Sequence, residues 1–174
     1  MISKKVEKEL NKQLNAELYS AYLYLAMSAW FQEKNLKGFA QWMYVQYQEE
    51  SNHAQLFYNY ILERGGKTEF PAIAAPKDNW KNVVDVFSET LKHEQHVTSL
   101  INNLMNVALS EKDHAASNFM QWFVNEQVEE ESNVIDILEQ LKMIEGKGAG
   151  LFMMDRELKL RVFTPVTLSG GSIA

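Results

Sequence analysis

The chain of 174 residues contains no cysteine, so disulfides, thiolate metal sites and thiol nucleophiles are all excluded. It has only 3 prolines and 8 glycines, and no apolar run approaches the roughly 20 residues that span a bilayer. Residues 1–10 are charged and lack the apolar core of a signal peptide. These absences predict a cytoplasmic protein with no membrane partner, and the length suits a single domain over residues 1–174.

The charge balance points in the same direction. A net charge of −6 argues against a general affinity for nucleic acid or anionic membranes, and it is compatible with gathering cations. The chain is 46% hydrophobic and 23% charged, which is ordinary for a soluble globular protein.

Apolar residues recur at intervals of three and four along most of the chain, and no strand-like alternation competes with that pattern. The spacing predicts four long helices, over about residues 4–34, 38–64, 79–109 and 114–145. Ser3 is expected to cap the first helix, and Asp78 or Asn79 the third. The expected fold class is all-α: a four-helix bundle over 4–145, a short fifth helix over 155–163 and a C-terminal tail over 164–174.

The link between the second and third helices is irregular and contains Pro71 and Pro76. Its roughly 14 residues can extend about 46 Å, and a helix of about 30 residues spans about 45 Å. The link can therefore cross the whole bundle, which makes helices two and three parallel. The two short breaks, near Asn35 and Ser110, make the helices on either side of each break antiparallel.

Polar residues interrupt the inward-facing apolar stripe of every long helix near its midpoint. These residues are Glu17 in the first helix, Glu50 and His53 in the second, Glu94 in the third, and Gln127 and Glu130 in the fourth. Packed helices of similar length align their midpoints, so all six side chains should meet at one level. A solvent-exposed position is the usual place for any single Glu, and a lone Glu-x-x-His occurs by chance in many helices; the matched set is what indicates a site.

Four carboxylates in one dry volume cannot all stay ionised unaided. The usual remedies are a counter-charge, a proton or a metal ion. Two divalent cations would neutralise the set, and oxygen ligands with one imidazole suit iron, manganese or zinc. Iron is favoured because the site is rich in oxygen and has no sulfur. Tyr24, seven residues after Glu17, is placed to hydrogen-bond there or to donate an electron.

At these residues the chain resembles the bacterial non-haem ferritins over nearly its whole length. The resemblance implies that Glu17, Glu50 and His53 hold one iron and that Glu94 and Glu130 join the bridging Glu50 on a second, with Gln127 hydrogen-bonding at the centre. Together with Tyr24, the five ligands would form the catalytic set. The resemblance also implies a third iron site, formed by Glu49, Glu126, Glu129 and Glu130; the alternative for the run of acids at 129–131 is a solvated surface.

The function implied by the resemblance is iron storage with ferroxidase activity. Such proteins oxidise Fe(II) with dioxygen at the paired site and store ferric mineral inside a hollow shell of 24 identical subunits. The fifth helix would be buried between subunits around a four-fold axis, with Gly146 to Gly150 as a hinge; packing on its own bundle is the alternative.

Several positions depart from related families. Haem-binding bacterioferritins carry a second Glu-x-x-His where this chain has Gln127 and Glu130, and a haem-ligating Met where it has Asn52, so no haem is expected. Animal ferritins place acids in their three-fold pore where this chain has Ser117 and Met120, which leaves the iron entry route open.

The remaining candidate residues have simpler explanations. His93 and His96 flank Glu94 but point away from it by helical phase, so both are expected at the surface. His114 is expected to be solvated, and Trp122 to anchor the core near the metal site.

Three other functions stay open. The first is a shell that binds metal but oxidises it slowly. The second is a smaller DNA-protecting shell protein, which would place its ligands between subunits and often carries a basic tail. The third is a peroxide-reducing enzyme like rubrerythrin, which would usually need a cysteine-rich module.

Overall fold

The structure is a computed structural model that describes residues 2–168. It contains five helices, α1 (Lys4–Glu33), α2 (Lys37–Glu63), α3 (Val83–Ser110), α4 (His114–Met143) and α5 (Gly148–Leu158), and no strand within the described range. The predicted all-α fold class is confirmed. None of the helices in this range combines the length and hydrophobicity that a bilayer crossing requires. Of the predicted tail, residues 169–174 lie outside the described part of the chain.

The start of α1 follows the prediction, but the start of α3 does not. The Ser3 side chain accepts a hydrogen bond from the Val6 backbone amide, as expected of an N-cap. The cap of α3 is Asn82, whose side chain accepts from the Asp85 amide at 2.9 Å, so the prediction of Asp78 or Asn79 is wrong. The cap lies later because the chain first buries Trp80 in the core, which keeps the preceding residues irregular.

The position of the fifth helix also corrects the prediction, because α5 spans Gly148–Leu158 instead of 155–163. Its position is set by α2, whose own N-cap residue, Leu36, provides no side-chain hydrogen bond. Asp155 on α5 replaces that cap, since its Oδ1 accepts from the backbone amides of Gly38 and Phe39 at 2.8 and 3.1 Å. One face of α5 thus packs on its own bundle through an interaction that local spacing does not reveal, whereas Phe152 and Met153 on the same helix stay exposed.

The long link over residues 64–82 runs the length of the bundle. Near its start, the Asn11 side chain on α1 binds the backbone of Lys67 and Glu69. At its far end, Trp80 packs edge-on against Trp30, close to the opposite end of α1. Arg64, which follows α2, forms an ion pair with Asp113 at the α3–α4 break. Helices α2 and α3 therefore run parallel, as the link length predicts.

The apolar core is divided into two parts by a polar layer. One apolar cluster surrounds Phe31, Phe39 and Phe87, and the other surrounds Leu10 and Phe57. Between them lie polar side chains that are all buried, namely Glu17, Ser20, Gln46, Glu50, His53, Thr90, Glu94, Gln127 and Glu130. The two apolar regions exclude water from both ends of this layer, which sets the electrostatics of the site.

Candidate metal centre

The six polar residues predicted to meet inside the bundle are all buried in the structure. Glu17, Glu50 and His53 come together most closely: each offers one ligand atom, and these atoms lie within 4.8 Å of one another. The heptad steps that carry Leu10 to Glu17 and Met43 to Glu50 keep both acids in phase with fully buried apolar residues. Helical periodicity therefore places these carboxylates in the interior.

The orientation of His53 is fixed by its own helix and by aromatic neighbours. Its Nδ1 lies 3.4 Å from Glu50 Oε2, one turn earlier on α2. The rings of Trp122 and Phe123 pack edge-on against the imidazole, with centroids 5.4 and 5.9 Å away. Trp122 is half-buried and packs beside the site, as expected of a core anchor.

The opposite side of the layer is built around Glu94. The Tyr24 hydroxyl donates a hydrogen bond to Glu94 Oε1, and the Gln127 amide donates to Oε2 at 3.3 Å. Glu130 Oε2 accepts a hydrogen bond from Gln46 at 2.9 Å. Each of these acids is therefore held by a neutral donor, and within residues 2–168 no Lys or Arg side chain forms an ion pair with it. Neutral donors orient a carboxylate without competing with a metal ion for its charge.

Burial and mutual repulsion raise the pKa values of the central acids. Burial is the largest cause for Glu17 and Glu50, whose pKa values lie well above the ordinary value, and the charge of Glu50 adds to the effect at Glu17. Burial together with the charge of Glu130 raises the pKa of Glu94 to about 8. Near neutral pH these groups bind protons that an incoming cation would displace.

The arrangement around Glu17, Glu50 and His53 fits a divalent cation. Glu17 Oε2 and Glu50 Oε2 are buried and have no hydrogen-bond partner among the described residues, although buried polar atoms are nearly always satisfied. Oxygen atoms aimed into a common volume beside one imidazole form the donor set of an iron, manganese or zinc site. A metal ion bound between Glu17, Glu50 and His53 would satisfy both atoms.

Sequence reasoning missed two residues that support this layer, Gln13 and Gln46. Gln13 donates to Glu17 Oε1 at 2.9 Å, and Gln46 donates to Glu130 as described above. Each stands four residues before a central acid of its own helix, Glu17 or Glu50. For Gln13 this spacing was the available signal, because residues four apart share a helix face. The partner of Gln46 lies on α4, so spacing within α2 does not indicate it.

The acids predicted for a third iron site are less favourably placed. Glu49 Oε2 is paired with the Arg161 guanidinium at 2.6 Å. The pKa of Glu49 is raised to about 7, and burial is the largest cause. The charge of Arg161 opposes this rise, and the nearby charges of Glu130 and Glu126 add to it. Burial likewise raises the pKa of the half-buried Glu126, whereas Glu129 is exposed. These acids are close enough to influence one another, but an arginine already neutralises one of them.

His93 corrects another expectation, because it is largely buried between α1 and α3. Its Nε2 lies 2.8 Å from Ser20 Oγ, and its ring contacts Tyr19 and Tyr24. Burial lowers its pKa to about 4, so it is neutral near pH 7. His93 lies on a different face of α3 from Glu94, as predicted, but α1 covers that face as well. His96 and His114 are exposed as expected.

The chain matches known proteins over most of its length. A ferritin-like domain is matched over residues 7–144. A bacterial non-heme ferritin of Campylobacter jejuni is 40% identical over 159 residues, which cover 91% of this chain and 95% of that protein. The corresponding ferritin of Bacteroides fragilis is 39% identical, over 92% of this chain and 100% of the relative.

Solved structures agree with these matches. An Archaeoglobus fulgidus ferritin engineered into a closed form is 46% identical, with a TM-score of 0.92 over 94% of this chain and 100% of that one. The open-pore ferritin of the same archaeon is 45% identical, with a TM-score of 0.91 over 92% and 98% of the two chains. Because the family match covers residues 7–144 and the two bacterial relatives align with more than nine-tenths of the chain at about 40% identity, this chain belongs to the ferritin family.

Proposed function

We propose that this chain is the subunit of an iron-storage protein that oxidises Fe(II) with dioxygen inside its four-helix bundle and stores the ferric product in a hollow shell. The observation that carries the proposal is the convergence of Glu17, Glu50 and His53 within 4.8 Å in a buried layer where two carboxylate oxygens lack partners. Family membership supports the reaction type, and the buried carboxylates and imidazole support its location inside the bundle.

Glu17, Glu50 and His53 would bind the first Fe(II). Glu50 lies between the two halves of the layer, since its carboxylate faces Glu17 and His53 and also feels the charges of Glu94 and Glu130. It is therefore the natural bridging ligand. Gln13 holds one oxygen of Glu17 and leaves the other free for the metal.

Glu94 and Glu130 would bind the second Fe(II) together with Glu50. Tyr24 and Gln127 orient Glu94 through hydrogen bonds to its two oxygens, and Gln46 orients Glu130. Two Fe(II) ions held side by side can supply dioxygen with two electrons in one encounter, which avoids release of superoxide. The raised pKa values of Glu17, Glu50 and Glu94 mean that cation binding releases protons from the chain.

The storage function requires many copies of the chain, and we propose a shell of 24 identical subunits in the cytoplasm. The side chains of Phe152 and Met153 on α5 are 64% and 70% exposed, and burying them against other copies would stabilise the assembly. This supports a place for α5 between subunits around a four-fold axis. No haem is expected, because Asn52 stands where the haem-binding bacterioferritins carry their haem-ligating Met.

Stopped-flow absorbance after aerobic addition of Fe(II) tests the proposal. In the wild-type protein we expect a rapid rise from ferric species. Glu50→Ala should reduce the initial rate by at least tenfold because it removes the bridging ligand, and His53→Ala should do the same because it removes the imidazole. Glu63→Ala is the matched control, since Glu63 is an exposed acid on the same helix, and its rate should equal that of the wild type.

Unchanged oxidation in both Glu50→Ala and His53→Ala would refute the proposed centre. That result would instead favour a shell that binds metal without oxidising it at this site. Iron counts on the purified variants separate the two readings, because loss of binding and loss of oxidation should occur together at a ferroxidase centre.

A further inference from the structure

The residues that follow α5, 159–168, lie along α2 and are here called the C-terminal strap. Gln41 Nε2 donates to the Arg161 carbonyl at 3.2 Å, and Asn52 Oδ1 accepts from the Val166 amide at 2.8 Å. Leu168 then packs against the apolar cluster that contains Phe57. The strap therefore covers α2 over at least three turns, and it passes Glu49.

Arg161 is the strap residue that contacts Glu49, which directly precedes Glu50 in the chain. One guanidinium nitrogen lies 2.6 Å from Glu49 Oε2, and another donates to the Trp42 carbonyl at 3.4 Å. The guanidinium also lies over the Trp42 ring, 4.6 Å from its centroid, in the geometry of a cation–π contact. The side chains of Arg161 and Glu49 are only 22% and 23% exposed, so solvent screens this pair less than one on the surface.

Glu49 borders the acids of the proposed di-iron centre. The charges of Glu130 and Glu126 both act on it, so a cation beside Glu49 would be stabilised by three carboxylates. The guanidinium of Arg161 already occupies that position, and it cannot lose its charge by deprotonation. A metal ion that binds Glu49 Oε2 has to displace an arginine that an aromatic face and a backbone carbonyl hold in place.

We propose that Arg161 is a built-in counter-cation that closes the third metal position, so that each chain holds two metal ions instead of three. The inference rests on the proposed function for the two ions at Glu17, Glu50, His53, Glu94 and Glu130. It assigns Arg161 a role in metal specificity: it excludes a third ion from Glu49 and thereby confines iron to the oxidising pair.

Titration calorimetry of the assembled, metal-free protein with Zn(II) tests this assignment, because Zn(II) is redox-inert and the count does not depend on oxidation. The wild type should bind two ions per chain tightly. Arg161→Gln should bind a third, with an affinity at least tenfold higher than any third site in the wild type. The double variant Arg161→Gln/Glu49→Gln should return to two, because the third ion needs the Glu49 carboxylate.

Two further variants serve as controls. Arg156→Gln removes an exposed arginine from α5 and should leave the count at two. Arg161→Lys keeps a positive charge next to Glu49 and should also stay at two, which keeps the test informative if the Gln variant folds poorly. Zinc bound at exposed His96 or His114 is common to all variants and cancels in the comparison.

Equal counts in the wild type and Arg161→Gln would overturn the inference, whether both bind two ions or both bind three. A count of three in Arg161→Lys would also overturn it. Failure of the proposed function gives a different result, because the wild type would then bind no Zn(II) tightly at the buried pair, and Glu50→Ala would not reduce the count.

Discussion

Replacing Glu94 with Gln should stabilise the metal-free protein at high pH and leave it unchanged at low pH. Glu94 is completely buried, and its pKa rises from an ordinary 4.5 to about 8 in the folded chain, first because of burial and then because of the charge of Glu130. A folded-state pKa above the unfolded value means that the folded protein retains a proton that the unfolded chain has already lost. Stability is therefore lost as the pH rises from about 4.5 to about 8.

The size of the effect follows from the shift. Each pKa unit corresponds to about 1.36 kcal/mol, so the Glu94 shift corresponds to a destabilisation of roughly 3–5 kcal/mol above pH 8. Gln carries no titrating group, and its carbonyl oxygen can still accept the hydrogen bond from Tyr24. For a chain of this size a change of about 1 kcal/mol moves Tm by roughly 2–4 °C. Glu94→Gln should thus raise Tm by on the order of 10 °C at pH 8.5.

Thermal melts followed by circular dichroism, in the presence of a chelator, measure this prediction at intervals from pH 4.5 to pH 9. The difference between Glu94→Gln and the wild type should be near zero at pH 4.5 and should grow until about pH 8. Glu63→Gln, at an exposed acid of α2, is the control and should show no such trend. A difference that is independent of pH, or a loss of stability at pH 8.5, would show that desolvation of Glu94 does not limit the stability of the metal-free bundle.

Two further substitutions test the packing and the hydrogen bonding around the site. In Gly38→Ala the added Cβ would overlap the Asp155 carbonyl oxygen, so α5 must move and the Asp155 cap on α2 is lost. We expect a loss of about 1–2 kcal/mol from the broken cap alone, read from Tm. A Tm within 1–2 °C of the wild type would contradict this packing. Tyr24→Phe leaves Glu94 Oε1 without its donor, which should cost the metal-free protein about 1–3 kcal/mol in denaturant titrations, and a variant as stable as the wild type would show that another donor replaces the hydroxyl.

The identity of the central residues could be read from helical spacing alone. Glu17, Glu50, Glu94 and Glu130 each interrupt an apolar stripe in phase, and burial in a bundle follows from that phase whatever the exact crossing angles. Family resemblance then added the reaction and the pairing of ligands. Spacing failed where a residue's surroundings come from another helix: His93 is covered by α1, and Gln46 reaches across to Glu130 on α4.

The starts of α3 and α5 were predicted wrongly for the same reason, namely that contacts with other segments determine them. Asn82 caps α3 because Trp80 must first reach the core, and α5 begins at Gly148 because Asp155 has to meet Gly38 and Phe39. Both starting points are determined by contacts between segments far apart in the chain. Local capping signals such as Asp78 and the glycines after residue 145 are present in the sequence. They do not show whether contacts with distant segments will move the helix boundary elsewhere.

The sequence by itself determined the helices, their parallel and antiparallel order and the level at which the acids meet, because periodicity and segment length are properties of a single chain segment. Only the tertiary structure decided which buried acids keep an oxygen without a hydrogen-bond partner. Glu17 and Glu50 retain unpaired oxygens inside the bundle, whereas Glu49, next to Glu50 in the chain, is held by Arg161 from a strap 112 residues away. The physical reason is that the charge available at a buried carboxylate depends on what is packed beside it.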